Sequence, residues 1–321
     1  MIDAAIVGLG RWGKTLVEAV QAKSDKIRFT RAVSRDPAQH RVFLETHHLL
    51  TGSFDEALAD RSIKAMVLAT PHTHHVDEVI TAAGAGKAVF CEKPLALTKE
   101  GTARAISACR DAGVVLGIGT DKRYFPAIAE VIQLADSGEL GPLIHIEGNF
   151  SNEVAAGFTA WRGSFEETPA GGMTGTGIHV LDAMMRIAGP VDRVHARLLS
   201  LKPGPDPWDS LSILLEFASG VGGTLACVRS TPMFLRLHAF GRNGSAEAVS
   251  RYDIIVRKSG AEPIRLKFPV NDSVRVNLEA FADAVSGAAP YPVSPDQIAA
   301  VTNTFVAIAD AVRTGVVTHE V

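Results

Sequence analysis

The apolar residues of this chain follow two different patterns, and the change from one to the other falls near residue 120. In the first part, short apolar runs alternate with segments of helical spacing, one of which carries Trp12, Leu16 and Val20 as an apolar stripe. Alternating strands and helices with short connections predict right-handed crossovers and a doubly wound parallel sheet. The runs predicted as strands are 4–8, 27–34, 65–70, 88–92 and 114–119.

Local residue pairs indicate where two of the intervening helices begin. Asp36 followed by Pro37 is typical of an N-cap and a first-turn proline. Thr98 precedes a second helical segment and has the side chain of a common N-cap residue. Both signals support the predicted alternation of strands and helices.

The rest of the chain has a long helical segment, then longer alternating strands, then two more helices. This order predicts an α+β domain built on a large, mostly antiparallel open sheet. We therefore expect one domain over 1–120 and a second over 121–321, joined by a tight hinge near residue 120. The predicted helices are 125–141, 277–286 and 295–313, and the predicted strands are 143–151, 193–201, 209–217, 222–230, 236–241 and 253–259.

Composition narrows the class of protein. The chain has 321 residues, more than the roughly 250–300 that one hydrophobic core supports, which agrees with two domains. A formal net charge of −3 offers no basic surface for nucleic acid or an anionic membrane. No apolar stretch reaches the ~18 residues of a membrane span, and no signal-like segment follows Met1. Because Cys91, Cys109 and Cys227 form no CxxC pair, we expect a reduced, cytoplasmic compartment.

The motif GLGRWG follows the first predicted strand and opens the first predicted helix. Gly8 permits a tight turn, Gly10 allows the backbone to approach a pyrophosphate, and Gly13 allows the helix to pack closely on the strand. The amides of the helix N-terminus then face the anion. This position predicts a dinucleotide site, with Arg11 and Trp12 as candidate contacts, although core packing is the default expectation for Trp12.

The end of the second predicted strand indicates which dinucleotide binds. An NAD site usually has Asp or Glu about 20 residues beyond the glycines, where it holds the ribose 2′-hydroxyl. Here that place has Ser34 and Arg35, a small hydroxyl and a guanidinium that suit a 2′-phosphate. NADP is therefore the expected cofactor. NAD is the alternative, because Asp36 is also within reach as a ribose acid and Arg35 is then a solvated loop charge.

Polar residues follow two further predicted strands, in the segments 69–75 (ATPHTHH) and 91–94 (CEKP). In open α/β sheets, ligands bind outside the carboxyl ends of the strands, so Lys93 is expected to face the nicotinamide ring. A lysine that is partly desolvated beside a cation has a lowered pKa and is able to exchange a proton with a substrate oxygen. Pro94 is a candidate for a cis peptide bond. The alternative is that Glu92 and Lys93 form an exposed ion pair of little energetic value.

Three histidines, His72, His74 and His75, lie close together in the first of these segments. No cysteine or carboxylate stands at ligand spacing, so no metal site is expected. We expect His72 near the nicotinamide and His75 packed at the start of a helix.

The chain resembles the family of glucose-fructose oxidoreductase, inositol dehydrogenase and rhizopine-catabolism proteins (GFO/IDH/MocA). The resemblance covers nearly the whole chain and depends on the segments AIVGLGRWG, ATPHTHHVDEVITAAGAGKAVFCEKPLALT, GTDKRYFPAIAEVIQLADSGELGPL, FTAWRGSFEETPAGGMTGTGIHVLD and LEAFADAVSGAAPYPVSPDQ. It implies a Rossmann domain, hydride transfer at C4 of the nicotinamide, and a C-terminal domain whose open sheet often forms the oligomer interface. A homodimer or homotetramer formed through that sheet is therefore expected.

The resemblance also implies roles for individual residues. Lys93 matches the lysine of the EKP motif, and His179 matches the catalytic histidine. Thr70 and Pro71 match the segment that lines the cofactor. Apart from the resemblance, we also expect His72, His75 and Glu92 among the cofactor contacts. The positions that match the substrate pocket are Arg123, Trp161, Arg162 and His179.

One departure from the family pattern concerns the chemistry. The family commonly has an aspartate four residues before its histidine, and this chain has Gly175 there. Asp182, one helical turn beyond His179, is expected either to orient the imidazole or to face away from it.

Two functions therefore remain. The first is an NADP(H)-dependent oxidoreductase that interconverts a secondary alcohol and a ketone on a sugar, cyclitol or related polar molecule. The second is a cofactor-binding sensor or non-catalytic paralogue, which keeps the fold and the dinucleotide site but has lost the chemistry. Gly175, in the place of the family aspartate, favours this second function.

Overall fold

The computed structural model describes residues 1–152, 164–199, 209–229, 231–316 and 318–321. These form two compact units, one of Met1–Thr120 with Asp272–Ala299 and the other of Asp121–Asn271 with Ala300–Val321. The first break falls after residue 120, where the apolar pattern changes. The return of 272–299 to the first unit differs from the predicted division, which kept all of 121–321 together.

The first unit contains a six-stranded parallel sheet in the order β3-β2-β1-β4-β5-β6. The order reverses between β1 and β4, which is the switch point where open α/β sheets bind ligands. This confirms the predicted doubly wound fold. The strands are β1 (Ile2–Val7), β2 (Ile27–Val33), β3 (Leu50–Gly52), β4 (Ile63–Leu68), β5 (Ala88–Cys91) and β6 (Leu116–Ile118), and the helices are α1 (Arg11–Val20), α2 (Arg41–Thr46), α3 (Phe54–Ala59), α4 (His75–Gly84) and α5 (Lys99–Asp111).

Both faces of this sheet are buried. Along β1, Ala4 and Ile6 belong to one apolar cluster, and Ala5 and Val7 belong to the cluster on the opposite face. This alternation follows from the two-residue period of a strand, and it explains why the strands appear in the sequence as continuous apolar runs.

The predicted helix starts are present. The Asp36 side chain accepts a hydrogen bond from the Gln39 amide at the start of a 3-10 helix, Pro37–His40. Thr98 caps α5 by accepting from the Gly101 amide. Sequence analysis missed β3, because it has three residues and both Leu50 and Thr51 are exposed.

The segment that returns to the first unit contains α8 (Ser273–Ser286) and the first turn of α9 (Pro295–Thr314). Phe281 packs edge-on against Phe90 of β5, with ring centroids 5.5 Å apart. The Asn277 side-chain amide donates to the Ile118 carbonyl at the end of β6. Late residues of the chain therefore complete the core of the first unit.

In the second unit, the described strands form a nine-stranded sheet in the order β14-β13-β12-β11-β7-β10-β9-β8-β15. Neighbouring strands pair antiparallel except β7 with β10, so the prediction of a mostly antiparallel sheet is confirmed. The strands are β7 (Leu143–Ser151), β8 (Val191–Leu199), β9 (Ser210–Phe217), β10 (Gly222–Val228), β11 (Phe234–Gly241), β12 (Gly244–Ala248), β13 (Asp253–Lys258), β14 (Ile264–Lys267) and β15 (Thr318–Glu320).

Helices α6 (Pro126–Asp136) and α7 (Ile178–Ala188) pack on one face of this sheet. Along β9, buried and exposed residues alternate strictly, so the other face remains open in the chain by itself. Helix α6 ends five residues before the predicted end at 141, because Ser137 and Gly138 already form the following turn. No helix among the described residues is long and apolar enough to cross a membrane.

Candidate functional site

The glycine motif forms the turn between β1 and α1. Gly8 has a φ of +92°, and a Cβ at this position would lie 2.7 Å from the Ala69 carbonyl oxygen. A Cβ on Gly13 would lie 1.9 Å from the Gly8 carbonyl oxygen, so helix and turn approach each other as only glycine allows. Gly10 precedes α1 without a capping side chain, and a Cβ there would meet no atom within 4 Å. The space beside Gly10 at the start of a ten-residue helix is therefore open, which suits a pyrophosphate.

The end of β2 lies directly against this turn, because the Gly8 amide donates to the Val33 carbonyl. Ser34 is half-buried and Arg35 is exposed. Both Asp36 carboxylate oxygens are engaged by Gln39, one by its backbone amide and the other by its side-chain amide at 2.6 Å. Asp36 thus serves as a local helix cap.

His75 joins the loop after β4 to the loop after β5. The side chain is fully buried, and its ring nitrogens lie 2.8 Å from the Pro94 carbonyl oxygen and 3.1 Å from the Thr70 carbonyl oxygen. Carbonyl oxygens only accept, so a neutral ring donates to one of them and a protonated ring donates to both. The expected packing of His75 at the helix start is present, and His72 is buried with its ring 5.6 Å away.

Glu78 of α4 is tied to the same loop. The Thr70 hydroxyl donates to the Glu78 carboxylate at 2.6 Å. Burial raises the pKa of Glu78, and the hydrogen bond from Thr70 opposes that shift. The loop after β4 is thus held by its own helix through two side chains.

Lys93 follows the carboxyl end of β5. The Lys93–Pro94 peptide bond is cis, as the sequence suggested. Lys93 is half-buried, whereas Glu92 is buried, with its amide bonded to the Leu68 carbonyl of β4. A solvent-exposed Glu92–Lys93 ion pair, the alternative interpretation, is therefore wrong. Cys91 is buried, and burial raises the pKa of its thiol well above the usual range, which agrees with a core residue.

In the second unit, a 3-10 turn over Asp121–Tyr124 packs against α7. Arg123 and Asp182 form a bidentate ion pair, with Nε–Oδ2 and Nη2–Oδ1 distances of 2.8 and 2.5 Å, and both residues are buried. Asp182 thus accepts from Arg123 through both of its carboxylate oxygens. The carboxylate beside the His179 ring is Asp121, whose Oδ1 lies 3.9 Å from His179 Nδ1. Sequence analysis missed Asp121, since no local motif marks it.

Gly175 lies in a π-helical turn, Met173–Gly177, that leads into α7. It is exposed, and a Cβ there would meet no atom within 4 Å, so the missing aspartate is not explained by lack of space. The predicted substrate residues Trp161 and Arg162 lie outside the residues that the structure describes. Over the described ranges, no group of three His, Cys, Asp or Glu side chains is arranged to hold a metal ion.

Comparison with known proteins agrees with this arrangement. Residues 2–120 match the model of the GFO/IDH/MocA oxidoreductase family with an NAD-binding Rossmann fold, and residues 128–247 match the model of a GFO/IDH/MocA C-terminal domain. The match therefore includes the glycine turn, the EKP segment and the helix that carries His179.

Individual relatives extend over most of the chain. D-xylose 1-dehydrogenase (NADP(+)) 2 of Haloferax volcanii is 28% identical over 313 residues, which is 94% of each chain. scyllo-Inositol 2-dehydrogenase (NAD(+)) of Bacillus subtilis is 28% identical over 260 residues, 76% of this chain and 72% of that protein. The fold matches the crystal structure of aldose-aldose oxidoreductase from Caulobacter crescentus with a TM-score of 0.88 and 24% identity, covering 100% of this chain and 99% of that one. The chain belongs to the GFO/IDH/MocA family of NAD(P)-binding oxidoreductases, and its relatives in that family include sugar and inositol dehydrogenases.

Proposed function

We propose that this protein uses NADP(H) to interconvert a secondary alcohol and a ketone on a sugar, cyclitol or related polar molecule. One observation carries the proposal. Lys93 follows the carboxyl end of β5, and the glycine turn follows the carboxyl end of β1 in the same parallel sheet. Lys93 and the glycine turn therefore follow the same edge of the sheet, the edge where open α/β sheets bind their ligands, which supports a role for this amine beside a bound dinucleotide.

The residues of the first unit fit the cofactor. Gly8, Gly10 and Gly13 seat the pyrophosphate at the start of α1. When bound, the nicotinamide supplies or accepts the hydride at C4. The remaining predicted contacts, which stay predictions, are Arg11, Trp12, Thr70, Pro71, His72, His75 and Glu92.

The protein's own side chains then manage the substrate proton. We assign that proton to the Lys93 amine and the His179 imidazole, which act as general acid or base according to the direction of the reaction. Arg123 already forms two hydrogen bonds to Asp182, so its main contribution is to hold the turn that carries Asp121. The substrate contacts proposed for Arg123, Trp161 and Arg162 follow from the family resemblance alone.

The preference for NADP is supported by the end of β2. Both carboxylate oxygens of Asp36 accept hydrogen bonds from Gln39, so Asp36 already caps the 3-10 helix that follows it. Arg35 is exposed, two residues beyond the Val33 carbonyl that binds the glycine turn. The Haloferax relative is named for NADP(+) and the Bacillus relative for NAD(+). The test is Arg35→Ala. Because hydrogen bonds to a charged group contribute about 1.5–3 kcal/mol, we expect NADPH to bind ~10–100-fold more weakly and NADH binding to be unchanged. Arg41→Ala, at another exposed arginine of the first unit, is the control.

Lys93→Met tests the catalytic assignment. Turnover with a panel of sugars, cyclitols and sugar acids should fall by at least ~100-fold, because general acid–base catalysis is worth about 10²–10⁴-fold. NADPH binding, followed by its fluorescence, should be retained. Lys64→Met replaces an exposed lysine on β4 and should change neither quantity. Undiminished turnover in Lys93→Met would show that the amine is not the proton carrier.

The second candidate is a dinucleotide-binding sensor without turnover, favoured by Gly175 in place of the family aspartate. It requires tight NADPH binding together with reduced-nicotinamide absorbance that stays constant with every substrate offered. Oxidation or reduction of the cofactor by any one of them eliminates this candidate.

We further propose a homodimer or homotetramer formed through the open face of the nine-stranded sheet, where Leu214 of β9 is exposed. Sedimentation equilibrium of wild type and Leu214→Glu measures this directly, and a monomeric wild type would exclude it. The three cysteines are buried and form no disulfide, which supports the proposal of a reducing, cytoplasmic compartment.

A further inference from the structure

The 3-10 turn Asp121–Tyr124 presents two side chains to helix α7 in the second unit. Arg123 binds Asp182 through two hydrogen bonds, and Asp121 lies beside His179, one helical turn earlier on α7. The turn and the helix thus make two adjacent contacts, one between Asp121 and His179 and one between Arg123 and Asp182. The bidentate pair fixes the turn on the helix, so Asp121 is held at a defined distance from the imidazole.

Asp121 is almost fully buried. Its Oδ2 accepts from Lys122 Nζ at 2.6 Å, and its Oδ1 lies 3.9 Å from His179 Nδ1. The side chains of Asp121 and His179 are 3% and 4% exposed. A distance of 3.9 Å is longer than a hydrogen bond but within the range of an ion pair, so the interaction is electrostatic. Low exposure strengthens it, because little water screens the two groups.

Among the described residues of this unit, two further ionisable groups close to the contact between Asp121 and His179 have partners of their own. Asp182, on the same helix, gives both oxygens to Arg123. Lys122 is paired with Asp121 itself. The π-helical turn before His179 reads Met-Thr-Gly-Thr-Gly and has no ionisable side chain. From β7, the ring of Phe150 faces the imidazole at 6.4 Å.

We propose that Asp121 is a positioning residue for His179: its carboxylate holds the Nδ1 edge of the ring and stabilises the protonated imidazole, which leaves Nε2 to exchange the substrate proton. This rests on the proposed function in assigning that proton to His179. It also gives the chain a carboxylate beside the histidine from a different element, while position 175 is a glycine.

The test combines a titration with kinetics on the full-length protein. Nitrogen-15 NMR of labelled histidine imidazoles, with His179 assigned by the loss of its signal in His179→Gln, gives the pKa of His179 directly. An opposite charge within about 4–6 Å shifts a pKa by about 1–3 units, so Asp121→Asn should lower the pKa of His179 by at least ~1 unit. With a turned-over substrate, kcat should fall ~10–100-fold while KM and NADPH affinity change less than ~3-fold.

Asp121→Asn is used in preference to Asp121→Ala because it keeps the side-chain volume and one acceptor for Lys122. Asp136→Asn is the matched control, since Asp136 pairs with Arg186 at the surface of the same unit. It should leave the His179 titration and kcat unchanged.

An unaltered His179 titration in Asp121→Asn overturns the proposal. So does a loss of kcat in the Asp136 control as large as that in Asp121→Asn. Because the titration needs no substrate, a shifted pKa in a protein without turnover would support the inference while the proposed function fails.

Discussion

The two aspartate–arginine pairs on helix α7 allow a direct measurement of what burial adds to an ion pair. Asp182–Arg123 and Asp136–Arg186 are both bidentate, and each has one partner on α7. They differ in exposure: the side chains of the first pair are 8% and 2% exposed, and those of the second are 35% and 48% exposed. The residue types and the number of hydrogen bonds are thus matched, and burial is the main difference between the two pairs.

Asp182→Asn removes one charge and keeps the side-chain volume. It removes the carboxylate charge that faces the buried Arg123 guanidinium, and breaking a buried pair in this way costs about 3–5 kcal/mol of the free energy of unfolding. In Asp136→Asn the remaining guanidinium is hydrated, so we expect a cost of about 0–1 kcal/mol. The predicted difference between the variants is therefore about 2–5 kcal/mol.

Urea unfolding followed by far-UV circular dichroism gives both free energies. Hydrogen exchange of peptides from α7 reports on the second unit specifically, and its amides should be less protected in Asp182→Asn than in Asp136→Asn. Equal losses in the two variants would refute the reasoning, because they would show that burial adds nothing to the pair.

A double replacement separates the contribution of the ion pair to stability from the cost of removing only one of its two buried charges. Replacing a buried ion pair by apolar residues of similar volume is often neutral or stabilising. Arg123→Met combined with Asp182→Leu should therefore be more stable than Asp182→Asn. A double variant that is less stable than Asp182→Asn would indicate that the pair itself contributes strongly.

Three further predictions concern the first unit and the open sheet. Gly13→Ala should lower stability by about 1–3 kcal/mol in urea unfolding and weaken NADPH binding, because its Cβ collides with the turn, whereas Gly84→Ala in α4 has space and should be neutral or slightly stabilising. His75→Leu removes the donor between two carbonyl oxygens and should cost about 1–3 kcal/mol, and a cost below ~0.5 kcal/mol would contradict the bridging role. Burial lowers the pKa of His238 to about 4, so the unfolded chain binds this proton more tightly than the folded one. The free energy of unfolding is therefore not reduced by this group above about pH 6.5, and it falls as the pH drops from there towards 4. His238→Phe should flatten that part of the stability profile by up to about 3 kcal/mol, and an unchanged slope would contradict it.

Much of the first unit could be predicted because its signals are local. The apolar runs, the glycine turn and the caps at Asp36 and Thr98 each depend on residues within a few positions of one another. The weaker strands of the second unit were missed for the opposite reason. β12 reads Gly-Ser-Ala-Glu-Ala and β14 is exposed throughout, so neighbouring strands rather than their own propensity make them strands.

The sequence pattern also did not show that α8 packs on the sheet of the first unit. An amphipathic helix has the same apolar stripe whichever sheet it covers. The contacts of Phe281 with Phe90 and of Asn277 with Ile118 determine its place, and these partners are more than a hundred positions apart in the chain.

The sequence by itself determined the glycine turn and the lysine at the end of β5, since each follows from the conformations that a few consecutive residues prefer, whereas His179 was identified through the family resemblance. Only the tertiary structure decided that Asp182 binds Arg123 and that Asp121 lies beside the imidazole. Arg123 and Asp182 are 59 positions apart. Such pairs form only when two elements pack together, because the energy that selects the partner of a buried charge depends on the surroundings it is buried in.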